Sequence, residues 1–241
     1  MNALEIRGLT KQYKNRMAVD ALDLSIKQGE LIALLGQNGA GKTTTIKMLS
    51  CLLTPTSGDA LMLGYSIKTD ATKIKPQINV SPQETAVAPT LSVRENLELI
   101  ARIYGSAKEA AKEKAQASME VFGLTEHAKD RAKALSGGMQ RRLSIAMALI
   151  SEPKILFLDE PTLGLDVRAR RELWKKIGEL KGKITIILTT HYMEEAEALS
   201  DCIAILHEGR LKALGSAEEL KQQTRTGSFE DAFLTLTGAD I

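Results

Sequence analysis

The stretch Leu31-Ile32-Ala33-Leu34-Leu35-Gly36-Gln37-Asn38-Gly39-Ala40-Gly41-Lys42-Thr43-Thr44 decides the fold. Its first five residues form an unbroken apolar run, which reads as a strand buried on both faces. The residues that follow, Thr45-Ile46-Lys47-Met48-Leu49, read as the start of a helix. Between strand and helix the glycines and Lys42-Thr43 keep the G-x-x-x-x-G-K-[ST] spacing of a phosphate cradle. Gly36, Gly39 and Gly41 reach backbone conformations closed to other residues, so successive N–H groups can turn inward. The helix adds its unsatisfied N-terminal N–H groups and the positive end of its dipole. Lys42 places a compact charge on terminal phosphates, and Thr43 offers a hydroxyl oxygen to Mg²⁺. The implied ligand is a nucleoside triphosphate with Mg²⁺. A glycine-rich turn beside a solvated lysine would not need the strand and helix that flank it here.

Upstream, Leu4-Glu5-Ile6 and Leu22-Asp23-Leu24-Ser25-Ile26 alternate apolar and polar residues, the pattern of half-buried antiparallel strands. Tyr13 falls between them in Lys11-Gln12-Tyr13-Lys14, which reads as a polar loop. An exposed ring there stacks on a purine base or is an ordinary surface tyrosine, and spacing does not choose between them. Downstream, Leu53-Thr54-Pro55-Thr56-Ser57-Gly58 is a turn cluster, followed by short strands at 59–63 and near Ile78-Asn79-Val80. Pro82 keeps Ser81 extended, so Gln83 emerges at a strand end. Ligands of open α/β sheets sit beyond such ends. Gln83 therefore reads as a metal or water ligand, or as a plain loop glutamine.

Residues 90–150 lack strand patterns and suggest a helical subdomain inserted in a sheet domain. Ser92-Val93-Arg94-Glu95 is a capping box opening a helix with Leu97, Ile100, Ala101 and Tyr104 on its apolar side. Residues 108–122 form an amphipathic helix. Leu135-Ser136-Gly137-Gly138-Met139-Gln140 then leads into a helix through Ile150. Ser136 is a good cap, and Gly137 and Gly138 bare the N–H groups of the helix start, a second anion site. Since the chain already holds one phosphate loop, this second site suits a nucleotide held by another molecule.

Ile155-Leu156-Phe157-Leu158 is a second buried parallel strand, ending in Asp159-Glu160-Pro161. Asp159 suits a Mg²⁺ position beside a phosphate loop, and Glu160 can orient and deprotonate a water. Asp166 caps the helix carrying Leu173 and Trp174 or has a further role. The strand Ile184-Thr185-Ile186-Ile187-Leu188 runs through Thr189-Thr190 to His191, a strand-tip histidine able to donate to a terminal phosphate. His127 and His207 lack such placement. Met193-Glu194-Glu195-Ala196-Glu197 reads as a helix with a solvated acidic face. After it come a strand at 202–206, a hairpin turn at 207–210 and two short helices, 217–223 and 228–236.

Composition narrows the class. The 241 residues nearly balance their charges at a net +2, and aromatics are 4%. Neither a global pull toward nucleic acid nor stacking platforms for single strands is indicated. Cys51 and Cys202 read as buried small hydrophobes in a reducing compartment. The N-terminus lacks a signal-peptide pattern, and no apolar run approaches the roughly 18 residues of a membrane span. A cytoplasmic chain whose membrane role comes through a partner is expected.

Taken together, these motifs resemble the ATP-binding subunit of an ABC transporter over nearly the whole chain. Residues 36–44 match the family's Walker A motif and 155–160 its Walker B motif. Leu135-Ser136-Gly137-Gly138-Met139-Gln140 is similar to the family signature, which is far more specific than the phosphate loop. By the same resemblance Tyr13 matches the adenine-stacking aromatic, Gln83 the glutamine loop, Asp166 the aspartate of the cross-dimer loop and His191 the switch histidine. Cys202 departs from relatives that carry arginine after the aspartate.

The resemblance implies a P-loop NTPase core with a parallel sheet, an N-terminal antiparallel β-subdomain and an inserted helical subdomain. The whole chain is expected to be one ATPase domain. Residues 1–84 and 151–215 would be its core, 85–150 the helical subdomain and 216–241 a helical tail. It further implies a head-to-tail dimer of ATPase subunits, expected to be identical, around two ATP molecules. Each ATP would touch residues 36–44 of one subunit and Ser136, Gly137 and Gly138 of the other. Thr43, Gln83 and Asp159 would hold Mg²⁺, Glu160 would be the general base, and His191 would hold the γ-phosphate and water. The implied partner is an integral membrane permease, with the subunit peripheral on the cytoplasmic face of the membrane and no nucleic acid bound. The segment 190–197 and the tail residues 229–234 resemble bacterial exporters of drugs, sodium or polysaccharides. The alternative is a soluble ABC ATPase acting on ribosomes or nucleic acid.

Overall fold

The computed structural model describes residues 1–238. The last three residues of the expected helical tail, 239–241, lie outside the described residues. The chain forms two compact units: Met1–Lys75 with the chain from Lys181 onward, and Pro76–Leu180.

The first unit begins with an antiparallel sheet. β1 (Asn2–Tyr13) pairs with β2 (Arg16–Lys27), with Leu4 opposite Ile26 and Ile6 opposite Leu24. The alternation is a physical one: Leu22, Leu24 and Ile26 are buried while Asp23 and Ser25 face water. Tyr13 corrects an expectation. It is the last residue of β1, opposite Arg16, and not part of a loop. Register shifts after Ile6, Leu9 and Lys11 break the two-residue period there. Bulges of this kind hide a strand from pattern reading.

β3 (Leu31–Leu35) is buried throughout, as expected of a parallel strand covered on both faces. α1 (Lys42–Leu49) follows the glycine loop. β4 (Ser57–Met62) pairs antiparallel with the other edge of β1, β5 (Tyr65–Ser66) extends that sheet, and α2 (Ala71–Ile74) ends this half.

The second unit starts with β6 (Ile78–Ser81). It runs parallel to β7 (Ile155–Asp159), with Ser81 opposite Leu158. Between them the chain is helical: α3 (Val93–Ile103), α4 (Lys108–Phe122) and α5 (Gly137–Leu149). The capping box is present, since Glu95 N–H donates to Ser92 Oγ and the Glu95 carboxylate accepts from Ser92 N–H. α4 stops at Gly123, whose φ of 64° ends a helix without a Cβ penalty. α3 packs on α4 and α5, and Val93, Leu97, Ala101, Ala111, Ala115, Met119 and Leu143 on these helices are buried. α6 (Val167–Gly178) follows β7 and buries Leu173 and Ile177.

The chain then returns to the first unit. β8 (Thr185–Thr190) lies parallel to β3 on one side, and β9 (Cys202–His207) lies parallel to it on the other. α7 (Met193–Leu199) joins them. Its acidic face is smaller than expected. Glu194 and Glu197 are exposed, but Glu195 is fully buried. A run of acidic residues gives no sign of which one turns inward; that follows from the helix's rotation against β3, on which it packs. β10 (Arg210–Gly215) forms a hairpin with β9 through Glu208 and Gly209, both at positive φ (50° and 79°), as tight hairpins require. α8 (Ala217–Thr224) and α9 (Phe229–Thr237) are the two expected tail helices.

Candidate functional site

In the first unit the carboxyl ends of β3, β8 and β9 lie side by side, with Leu35 opposite Thr190 and Ile205. Gly36 N–H donates to Thr190 O at 3.3 Å, which ties the start of the glycine loop to the strand that delivers His191. The loop has no room for substitution at two glycines. A Cβ on Gly36 would lie 2.3 Å from Leu206 O, and one on Gly41, at φ 99°, would lie 2.4 Å from Ala18 O. Gly209 crowds the same Ala18 oxygen, at 2.9 Å from its would-be Cβ. Gly41 starts α1 without a side-chain cap, and the positive end of a helix dipole suits an anion.

Lys42 is 5% exposed, and its Nζ donates to Gly36 O at 2.7 Å and Gln37 O at 3.3 Å. Gln37, Asn38 and Gly39 are exposed, Ala40 is buried, and Thr43 and Thr44 are half-buried. A cleft opens beside the loop, lined by Arg16, Met17, residues 37–40 and His207. Arg16 stretches over the loop: its Nη2 would lie 3.0 Å from a Cβ on Gly39. Tyr13, opposite Arg16 in the hairpin, is half-exposed and has Lys11 Nζ 5.4 Å from its ring centroid. His191 is half-buried, its ring 4.1 Å from that of Tyr192. The first unit thus assembles the loop, His191 and the hairpin bearing Tyr13. Arg16 escapes a reading of the sequence. His207 corrects one: expected to lack a strand-tip placement, it ends β9 and lines the cleft, because β9 runs parallel to β3 and its carboxyl end falls at the ligand edge, a pairing the sequence does not show.

In the second unit, parallel pairing of β6 and β7 puts Gln83 and Asp159-Glu160 beyond the same strand ends. Asp159 and Glu160 are 3% and 6% exposed, while Gln83 is exposed. Glu160 adopts φ 49°, an uncommon left-handed backbone for a non-glycine residue. A buried Arg141 on α5 spans both strand ends. Its Nε donates to Pro161 O at 2.8 Å and its Nη2 to Asp159 O at 2.8 Å, while Nη1 donates to Pro82 O and, at 3.4 Å, to Gln83 O. Ser81 and Ser144 hydroxyls also meet at 3.1 Å, binding α5 to β6.

Ser136 Oγ accepts from Met139 N–H at 3.3 Å and so caps α5. Ser136 and Gly137 stand exposed, and a Cβ on Gly137 would meet nothing within 4 Å. Gly138 is different: its Cβ would sit 3.3 Å from Ala169 Cβ of α6. Asp166 Oδ1 accepts from Ala169 N–H at 2.9 Å, which caps α6. Asp166 therefore performs the capping that its position suggested.

A phosphate loop with a buried lysine, a carboxylate pair at a second parallel strand and a glycine-started helix form a recognisable set. The sequence profile of the ABC transporter family matches residues 19–163. The chain belongs to the ABC transporter family.

Relatives and solved structures agree. The chain is 40% identical over 236 residues to the linearmycin resistance ATP-binding protein LnrL of Bacillus subtilis (strain 168), covering 98% of this chain and 75% of the relative. It is 41% identical to the human phospholipid-transporting ATPase ABCA3 over 93% of this chain, but spans only 13% of that relative's length. In structure it is similar to the ATP binding subunit of an ABC transporter, with a TM-score of 0.86 at 31% identity, covering 98% of this chain and 99% of the other. A dimeric ATP-binding cassette in a post-hydrolysis state with ADP and Pi matches at a TM-score of 0.81 and 26% identity, over 88% and 98% of the two chains. The expected P-loop NTPase fold and ATPase class therefore hold for this ABC transporter cassette. Among the described residues no helix is long and apolar enough to cross a membrane.

Proposed function

We propose that this chain is the ATPase subunit of an exporter of drug-like or other amphiphilic cargo, working as a dimer on a separate membrane permease at the cytoplasmic face. The observation that carries the reading is the buried pair Asp159-Glu160 at the end of β7, held by Arg141, in a cassette that also carries a pre-formed phosphate loop. The export direction draws support from relatives named for antibiotic resistance, which the chain matches over most of their length. The dimer draws support from the dimeric cassette of similar structure.

In this reading residues 36–44, with Lys42, cradle the β- and γ-phosphates, and Tyr13 stacks on the adenine. Ser136, Gly137 and Gly138 meet the ATP of the partner subunit, and Asp166 works at the dimer contact besides capping α6. Glu160 takes the proton of the attacking water, and His191 donates to the γ-phosphate. Gln83 orients the water. Such chemistry rests on positioning and electrostatics. One domain comprising a core (1–84, 151–215), a helical part (85–150) and a tail from 216 suits this division of labour.

Mg²⁺ is implied by the family. Among the described residues no three His, Cys, Asp or Glu side chains converge into a metal-ligand set. The proposed donors are the Thr43 hydroxyl, the Gln83 amide oxygen and one carboxylate, Asp159. All are hard oxygen ligands, and a single carboxylate completed by waters and phosphates is how Mg²⁺ is held beside nucleotides. Bound there, Mg²⁺ would neutralise charge developing on the transferred phosphoryl group.

The permease would dock on residues 84–104, where α3 exposes Leu99 and Ile103 (43% and 66%) and Tyr104, just past its end, is 45% exposed. The experiment uses a tagged Glu160→Gln variant expressed in its native cell and purified with Mg-ATP. Loss of the base is expected to lower kcat about 10²–10⁴-fold while ATP still binds. A protein with several membrane spans should co-purify in stoichiometric amount. Wild-type hydrolysis would remove Glu160 from its role, and recovery with ribosomes or DNA and no membrane protein would overturn the transporter assignment.

A further inference from the structure

We propose that Arg141 is a positioning residue for ATP hydrolysis, fixing the backbone on both sides of Glu160 and the backbone of Gln83. This rests on the reading of Glu160 as the base.

Two independent observations meet at this residue. The first is the hydrogen-bond pattern. Arg141 is 4% exposed, and its guanidinium donates to four main-chain carbonyls, those of Pro82, Gln83, Asp159 and Pro161. A buried guanidinium has five donors in a rigid fork and no acceptor. Here it faces carbonyl dipoles that come from the ends of both strands of its unit. The second is the backbone of Glu160, at φ 49°. A non-glycine residue in that region persists only where its surroundings over-determine it. Arg141 supplies such over-determination: one nitrogen holds the peptide plane that leads into Glu160, and another holds the carbonyl of Pro161, just beyond it.

Rotation about those peptides would swing the Glu160 carboxylate. The guanidinium therefore aims the side chain through the backbone on either side of it. The same nitrogen that holds Pro82 reaches Gln83 O, so the water-orienting amide and the base share one anchor. That anchor rides on α5, one turn beyond Ser136. A shift of α5 at its glycine start would thus be carried to both catalytic groups.

Lysine keeps the charge but offers a single point of donation, so it cannot hold four carbonyls in one plane. The test compares wild type, Arg141→Lys, Arg141→Gln, Glu160→Gln and the double variant Arg141→Lys with Glu160→Gln. Steady-state MgATP hydrolysis, ATP binding without metal and thermal unfolding are measured on each. Arg141→Lys should lower kcat roughly 10- to 100-fold, as small misplacements of a base do, with KM and ATP affinity unchanged. In the Glu160→Gln background it should change the residual rate by less than about twofold, because groups acting as a unit are not additive.

An Arg141→Lys variant with wild-type kcat overturns the proposal while leaving the role of Glu160 intact. An equal fall in both backgrounds also overturns it, since Arg141 would then act by another route. Loss of the unfolding transition in Arg141→Lys makes the residue a requirement of the fold and likewise overturns it. Wild-type hydrolysis by Glu160→Gln alone instead removes the reading on which the proposal rests.

Discussion

Lys42 Nζ lies 2.7 Å from the carbonyl oxygen of Gly36, six residues back in its own loop. The cation is therefore held at the cradle by the backbone it serves, and an incoming phosphate adds to an ordered charge. Replacing Lys42 with alanine removes hydrogen bonds from a charged donor, each worth about 1.5–3 kcal/mol. MgATP affinity is expected to fall at least roughly tenfold by calorimetric titration.

Two glycine-to-alanine changes should part fold from function. At Gly41 the new methyl would lie 2.4 Å from Ala18 O, on a backbone at φ 99°. Gly41→Ala should lose ATP binding and melt earlier. At Gly137 nothing stands within 4 Å. Gly137→Ala should melt no earlier than wild type, because alanine is favoured over glycine in a helix by up to about 1 kcal/mol. If Gly137 faces the partner's nucleotide as proposed, the same variant loses ATP-dependent dimerisation, read by light scattering.

The capping boxes at α3 and α8 give a pH signature. Hydrogen bonds from backbone Ser92 N–H, first, and the Ser92 side chain hold the Glu95 carboxyl below its usual value. Ser216 acts likewise on Glu219. A carboxyl lowered in the folded state stabilises it above the unfolded carboxyl range, and that help is lost as pH falls through the lowered value. Ser216→Ala should lower the melting temperature by roughly 2–4 °C at pH 7. The difference from wild type should shrink toward pH 3.

Cys202 should resist thiol reagents. Burial, before any neighbouring charge, pushes its thiol up to about 11. At pH 8 roughly one molecule in a thousand then carries the reactive thiolate there. Alkylation of Cys202, followed by mass spectrometry, should be slow in the native protein and speed up on unfolding. Raising pH from 9 toward 11 should lower stability, because the unfolded thiol ionises first.

Features with local causes were legible from residues alone. The loop between β3 and α1 announces itself by apolar run, glycine spacing and Lys42-Thr43. The caps Ser92, Ser136 and Asp166 announce themselves by side-chain chemistry. Features set by distant segments were not legible. Tyr13 reads as a loop residue because bulges break the strand period around it. Glu195 reads as solvated because its burial depends on how α7 packs. Arg141 is the clearest case. No sequence pattern singles it out, and the acceptors described for it are backbone carbonyls 18 to 59 residues away. Carbonyls leave no trace in residue identity, so no motif marks the residue that meets them.

One oxygen atom, that of Ala18, is crowded by two turns far apart in sequence. A Cβ on Gly41, in the phosphate loop, would lie 2.4 Å from it, and one on Gly209, in the β9–β10 hairpin, 2.9 Å. A side chain at either glycine would have to displace the same carbonyl. The two positions are thus bound to a common fate over generations. A descendant that gains a side chain at either one must first move the β2 backbone at Ala18.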